Sequence, residues 1–407
     1  MRVSRRWVTI LGALAVQAVV FGFGLATFTL WAGPWMSAFK VSHGETMAAI
    51  MLTQIAAGLF SPLAGHLSDR IPIPWLMLGG SVLFCGGLWL VSMASAMWQV
   101  SALYALPIAL GMVVCGPMIG QILAVRLFQP QAGLAIGVVT LGLALGGLTM
   151  PPIAARLLAV FDWRTSVAMF AAAIAAVTLP LIALTVRGPS RAGAVASHET
   201  PSHEYAQTPA GGGGPTPVAA ILTDRTFIGA TLVVTSLTVG FNAIYFNLGP
   251  WMADMGADPA STARIISLTA IVAAMGIAGF GALADRFDAR ILLGVALVLE
   301  GGGLALAAAG VDQSVLTVSV PLMGLATGGL IPLLAVMLAR RFGPRNFARA
   351  NGLSLVFTTI AVAGALLAGL GRDLLGNYPA AFRLMLFTLA PSAVGFLALG
   401  ATKFQRQ

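Results

Sequence analysis

The sequence predicts an all-α integral membrane protein of twelve transmembrane helices in two six-helix bundles, and three observations carry that prediction. First, 58% of the 407 residues are hydrophobic and 9% are charged, against about 25% charged in a typical soluble domain. Second, runs of about 20 apolar residues follow one another along the chain, each long enough to cross a hydrocarbon core of roughly 30 Å at 1.5 Å per residue. Third, short motifs of the first half return in the second at a constant spacing.

The spans fall at 8–31, 46–67, 75–95, 99–124, 133–155, 165–186, 226–248, 262–283, 291–310, 314–338, 350–370 and 381–402. The polar break around Ala94 to Gln99, between the third and fourth, is the shortest. Arg2, Arg5 and Arg6 precede the first apolar run as in a signal peptide, yet the run continues past Leu25 without a small-residue cleavage site and reads as a retained helix. With the N-terminus in the cytoplasm, sixteen Lys and Arg fall on that side and six on the other. This is the positive-inside bias, and it makes both termini cytoplasmic. The stretch 187–224 carries Gly211 to Gly214, several prolines and few large apolar residues, so it reads as a flexible cytoplasmic linker. It separates an N-terminal bundle, 1–186, from a C-terminal bundle, 225–407.

A net charge of +9 suggests nucleic acid in a soluble protein. Here the basic residues lie in short connections between spans, where charge sets topology, and a nucleic-acid partner is rejected. Cys85 and Cys115 sit inside apolar spans without His or acidic neighbours at ligand spacing, and His198 and His203 read as part of a solvated loop. No metal or other cofactor is expected. The spans contain no nucleophile paired with a base and no two-aspartate arrangement, which argues against an intramembrane enzyme.

The repeat is specific. Gly33-Pro34-Trp35-Met36 returns as Gly249-Pro250-Trp251-Met252, and Gly65-His66-Leu67-Ser68-Asp69-Arg70 returns at the same spacing as Gly281-Ala282-Leu283-Ala284-Asp285-Arg286. Phe128 and Pro130 return as Phe342 and Pro344, at a spacing shorter by two positions. Equivalent spans are six crossings apart, so the halves share one orientation, as in parallel repeats about an axis along the membrane normal. A solute path is expected between them.

At these residues the chain resembles the major facilitator superfamily, whose signature after the second helix is Gly, three residues, Asp, Arg, then glycine and basic residues. Gly65, Asp69 and Arg70 match in the first half, and Gly281, Asp285 and Arg286 in the second. Ile71-Pro72-Ile73-Pro74 replaces the basic tail of the first copy, whereas the second keeps Arg290. The region from Arg126 through Gly133, Gly142, Gly146 and Pro151-Pro152 to Asp162-Trp163-Arg164 is similar to monocarboxylate and oxalate/formate type members. The fifth-helix pattern of drug-proton antiporters is met only in part, because Gly147 stands where that pattern has proline.

The resemblance implies a secondary transporter that moves a small organic solute by alternating access, with carboxylates among the candidate solutes and protons as a candidate coupling ion. It implies that each signature Asp faces a helix N-terminus in the opposite half, where free N–H groups and the helix dipole favour an anion. Asp69 is then expected at the start of span eleven and Asp285 at the start of span five, with Arg126 and Arg341 as charge partners. It also places spans one, four, seven and ten around the cavity, walled by two, five, eight and eleven. Their polar residues Gln17, Thr27, Gln54, Tyr104, Gln121, Asn242, Tyr245, Asn247, Thr358 and Thr359 are the candidates for solute binding, set against plain interhelical hydrogen bonding.

Glu300 is the only carboxylate near the middle of a span, where insertion costs about 2.5–3.5 kcal/mol, and it is the candidate for proton coupling or a locally paired structural residue. Met150-Pro151-Pro152 is expected to kink or end span five. Two other functions stay open: an efflux antiporter for apolar or drug-like compounds, and a transport-inactive sensor or assembly subunit. The chain is expected to work as a monomer in a bilayer, with short loops suited to a bacterial inner membrane.

Overall fold

Helices form wherever the sequence stays apolar, because backbone N–H and C=O groups in hydrocarbon must be satisfied within the segment. The computed structural model describes residues 5–41, 43–128, 132–186, 216–257, 259–310 and 312–400, and among these no strand occurs. The linker histidines His198 and His203 lie outside the described residues. Among the described residues, eleven helical segments are long and apolar enough to cross a membrane. Span 1 is Arg5–Ala26 and its continuation Phe28–Phe39. Spans 2 to 6 are Ala48–Arg70, Ile73–Ser92, Met97–Leu127, Gly133–Val160 and Trp163–Thr185. Spans 7 to 9 are Arg225–Tyr245, Arg264–Ala284 and Ala289–Ala309, and Tyr378–Leu399 closes the chain.

The remaining segment, Gln313–Leu375, has 63 residues, which at 1.5 Å each is about 95 Å, or some three bilayer cores. It contains two crossings. Gly343 interrupts it with φ 66° and ψ 172°, a left-handed conformation that costs glycine little and other residues much. Before the break, Gly324, Gly328 and Gly329 pack on Thr269, Ala273 and Phe280 of span 8, so the two helices run the same way. After it, Ala348, Gly352 and Thr359 meet Gly65, Ser61 and Gly58, so this helix runs opposite to span 2. Residues 313–342 are therefore span 10, 344–375 are span 11, and Tyr378–Leu399 is span 12. The twelve crossings form two six-helix bundles.

Several starts are capped by side chains, as short connections require. Asp162, Asp224, Asp288 and Asn377 accept from backbone N–H groups at the starts of spans 6, 7, 9 and 12. Span 3 has no side-chain cap; Pro74 in its first turn instead fixes a helical conformation where a backbone N–H would be unpaired. The repeated Gly-Pro-Trp-Met has a packing explanation. Trp35 meets Tyr104 and Trp163 edge-on at 5.8 and 6.4 Å, and Trp251 meets Phe382 at 4.8 Å and Tyr378 at 6.5 Å. Each tryptophan thus joins the far end of the first helix of its bundle to the last helix of the same bundle, or to the one before span 5.

Two local expectations are corrected. The first span reaches Phe39 rather than residue 31, with a π-helical turn at Gly22–Ala26. Met150-Pro151-Pro152 does not end span 5, whose helix Gly142–Val160 runs through both prolines. Its break lies earlier, between Gly133–Thr140 and Gly142, where the Gln17 carboxamide of span 1, turned to the orientation that satisfies both its nitrogen and its oxygen, donates to Val139 O and accepts from Leu143 N, each at 3.2 Å. A neighbouring side chain satisfies the loosened backbone, the usual way a membrane helix tolerates an interruption.

Candidate functional site

The two Asp-Arg signatures lie at the ends of spans 2 and 8, on one face of the molecule, termed here the motif face. Every close glycine approach between the bundles among the described residues belongs to the motif-side half. Gly133 and Gly137 meet Gly281 and Ile277 along spans 5 and 8, and Gly65, Ser61 and Gly58 meet Ala348, Gly352 and Thr359 along spans 2 and 11. Gly58 lies eleven residues before Asp69, about 16 Å up the helix and near mid-membrane. Beyond Leu141 on span 5 and Val362 on span 11 the contacts with the opposite bundle fall away, so the bundles are drawn together on the motif face and separate beyond it.

Asp285 spans this junction. Its Oδ1 accepts from Gly133 N and its Oδ2 from Leu134 N, both at 2.8 Å, so the carboxylate caps the start of span 5 with two charge-assisted bonds. Gly133 allows it: a methyl there would sit 2.6 Å from Asp285 Oδ1 and 2.5 Å from Gly281 O. Gly281 in turn lets span 5 approach to backbone contact, since its own Cβ would fall 2.7 Å from Gly137 Cα.

Asp69 behaves differently. It does not cap span 11. Its Oδ1 pairs with Arg126 at 2.8 Å, and the same guanidinium donates to Ser68 O at 3.0 Å, all within the first bundle. Arg349 and His66 add attraction from nearby. Gly65 on Ala348 matches Gly281 on Gly133, but Gly133 is the first residue of its helix, with its N–H free of partners within it, whereas Ala348 is the fifth residue after the Gly343 break, where backbone N–H groups are already bonded within the helix.

Arg341 is also corrected. It is no partner of Asp285; its Nε and Nη2 donate to Asp224 Oδ2 at 2.9 and 2.6 Å, reinforcing the cap of span 7. The counterpart of Arg126 is Arg340, which donates to Ala284 O as Arg126 does to Ser68 O. The spacing that leads from Phe128 to Phe342 leads equally from Arg126 to Arg340, so that signal was present in the sequence. Arg70 and Arg286 are exposed, while Arg290 is half-buried and its N–H donates to Asp288 at 2.9 Å.

Most of the polar span residues are already engaged. Thr27 donates to Phe23 O at 2.7 Å and accepts from Trp31 Nε1 at 2.9 Å. Asn242 donates to Ala361 O at 2.9 Å, and Asn247 to Ala243 O and Ala365 O at 2.9 and 3.0 Å, tying span 7 to the 3-10 turn Thr359–Val362 and the helix after it. Thr358 and Thr359 donate back to Leu355 O. Tyr104 is buried between Phe28 and Trp35. Gln54 of span 2 and Tyr245 of span 7 are half-buried, with no hydrogen-bond partner among the described residues.

Gln121 makes the second polar bridge between the bundles. Its Oε1 accepts from Asn351 Nδ2 of span 11 at 2.9 Å, in buried surroundings, and its Nε2 lies 3.4 Å from Thr140 of span 5. Sequence reasoning missed Asn351 because it stands at the edge of a predicted span. The cost of an unpaired buried amide was the available signal. Thr216, just after the linker, was also missed: its N–H donates to Asn346 Oδ1 at 3.0 Å and its carbonyl accepts from Arg349 at 3.3 Å. No group of three or more metal-ligating side chains occurs among the described residues.

Two bundles that meet at one face through glycine contacts and an aspartate latch, around half-engaged polar side chains, define a membrane transporter of a small molecule. The chain belongs to the Major Facilitator Superfamily, whose model matches residues 12–299 and again 231–406. It is 26% identical over 395 residues to Monocarboxylate transporter 13 of Rattus norvegicus, covering 95% of this chain and 87% of that one. Its fold is similar to that of the human organic anion transporter MFSD10 (TETRAN), with a TM-score of 0.71 at 16% identity over 98% of this chain and 100% of the other. It is also similar to the proton:xylose symporter XylE, with a TM-score of 0.70 at 14% identity over 97% and 95% of the two chains. The family consists of transporters, and the chain is not an enzyme.

Proposed function

We propose that the protein takes up a small organic monocarboxylate together with a proton by rocking its bundles, 1–186 and 225–407, about the solute path. The observation that carries the alternating-access part is the one-sided closure: Asp285 and the glycine contacts hold the motif face shut while the opposite halves separate. With the basic motif face in the cytoplasm, as charge bias favours, both termini are cytoplasmic and this conformation is outward-facing. The compact loops suit a bacterial inner membrane.

The substrate class draws on the relative named Monocarboxylate transporter 13 and on the charge of the path. No Lys or Arg of the spans stands near mid-membrane. An acid that enters with its proton is neutral overall and needs no fixed cation. Gln54 and Tyr245 are the proposed solute contacts, since their polar groups are uncommitted, whereas Gln17, Asn242 and Asn247 hold helices together and Thr27 is bonded within span 1.

The test is uptake of labelled lactate, pyruvate and longer monocarboxylates into proteoliposomes with and without an inward proton gradient. Saturable uptake that accumulates above equilibrium only with the gradient is the expected result. Movement of none of these acids, with saturable export of apolar compounds instead, overturns the reading in favour of efflux.

A further inference from the structure

The second bundle encloses a carboxyl group that has no counterpart in the first. Glu300 of span 9 is 2% exposed. One of its oxygens is hydrogen-bonded to the Thr327 hydroxyl of span 10, and the other, Oε2, has no partner among the described residues. The spacing that relates Asp285 to Asp69 relates this pair to Phe84 and Gly111. Those two pack on one another: Phe84 is fully buried, and a methyl on Gly111 would lie 2.7 Å from its Cβ. A ring over a glycine in one bundle is a carboxyl against a hydroxyl in the other. Both members of the contact differ together, and the change puts an ionisable group where the repeat otherwise places hydrocarbon.

Thr327 Oγ1 has one hydrogen and two acceptors in reach, Glu300 and, 3.0 Å away, Met323 O. Donated to Glu300, that hydrogen serves one carboxyl oxygen and leaves Oε2 without a donor. Donated to Met323 O, the back-bonding usual for threonine in these helices, it leaves Glu300 with no donor, and only the acid form of Glu300 can then bond to Thr327. Beside the pair lies a crevice lined by Leu237, Gly240 and Phe241 of span 7, Met323 of span 10, and Thr388 and Leu389 of span 12, with Leu304 of span 9 completing it. None of these side chains is titratable. Thr388 already donates to Met385 O at 2.7 Å, so its oxygen too is left as an acceptor. The crevice is too narrow here to admit water. An ionised carboxylate would be short of donors and cut off from solvent, a large cost in such surroundings.

We propose that Glu300 is the proton carrier of this transporter: in this conformation it holds a proton sealed from water, and it releases that proton when spans 7, 9, 10 and 12 repack. Phe241 is the lid. It lines the crevice beside Glu300, and its ring stacks on Tyr245, with centroids 5.1 Å apart and planes at 19°. It therefore touches both the crevice and the tyrosine offered above as a solute contact, so solute at Tyr245 and exchange at Glu300 act on the same side chain. The carrier role rests on the proton-symport reading; the sealed acid form does not.

Two measurements on Glu300→Gln separate these claims. Infrared difference spectra of folded protein at neutral pH should show a carboxylic-acid carbonyl band in wild type that is missing from E300Q. In proteoliposomes, E300Q should lose accumulation above equilibrium under a proton gradient, and its solute exchange should lose its pH dependence; a purely structural glutamate would lower both fluxes alike. Absence of the acid band from wild type, or gradient-driven accumulation by E300Q equal to wild type, overturns the proposal. If wild type moves no monocarboxylate, the substrate reading fails while the infrared band still decides the state of Glu300.

Discussion

Asp69 and Asp285 occupy equivalent places in the two repeats, yet only one of them reaches the other bundle. Asp285 caps span 5 across the interface with two bonds of 2.8 Å, whereas Asp69 closes a salt bridge with Arg126 inside its own bundle. The difference traces to where the partner helix begins: Gly133 opens its helix and offers free N–H groups with room for a carboxylate, whereas Ala348 lies one turn inside the helix that restarts after Gly343. Duplication copied the fold and the signature, and the position of a helix start divided the labour between the copies. One signature latches the bundles and the other braces its own loop.

A methyl group at Gly133 should break the comparison most strongly. Gly133→Ala places a methyl 2.6 Å from Asp285 Oδ1 and 2.5 Å from Gly281 O. It should combine overpacking of about 1–3 kcal/mol with loss of two charge-assisted bonds. The closed motif face should lose population by about tenfold or more. Alkylation of a cysteine placed at Ile277, buried against Gly137, would report this, since Cys85 and Cys115 are both buried. The reciprocal Ala348→Gly should not recruit Asp69, because that position lies inside a helix whose N–H groups are already paired. The same cysteine should then react as in wild type.

A smaller effect separates the neighbouring arginines. Arg340→Ala removes the carbonyl bond to Ala284 and should raise alkylation at position 277. Arg341→Ala removes only the partner of Asp224 and should lower thermal stability by about 0.5–1 kcal/mol without changing that rate. The smallest effect lies outside the interface, at Asp162. Its carboxyl is held below the usual carboxylate range by the Thr165 side chain and then by the Thr165 and Arg164 N–H groups. A depressed value stabilises the fold above the unfolded-state range, and that stability is lost as pH falls through the folded value. Between neutral pH and pH 3, Asp162→Ala should therefore show a slightly flatter fall in melting temperature than wild type.

The fold was legible in the sequence because lipid leaves few options. Twelve apolar runs and the echo of the first half in the second implied two bundles, and Asp285 at span 5 followed from the signature. What escaped depended on contacts between distant residues. Whether Arg340 or Arg341 serves as the counterpart of Arg126 turned on a slip of two positions in the repeat, and the fate of Asp69 on where span 11 restarts after Gly343. Asn351 and Thr327 gained meaning only through Gln121 and Glu300, and nothing local marks them. The uninterrupted Pro151-Pro152 helix shows the same limit, since local rules expect a break that packing displaced to Thr140.

The most direct test of the latch is a distance measurement between spin labels on the motif-side ends of spans 5 and 8, made on wild type, Asp285→Ala and Asp69→Ala in nanodiscs. The account predicts that Asp285→Ala adds or enlarges a long-distance population while Asp69→Ala matches wild type. Equal opening in both variants, or in neither, would contradict it.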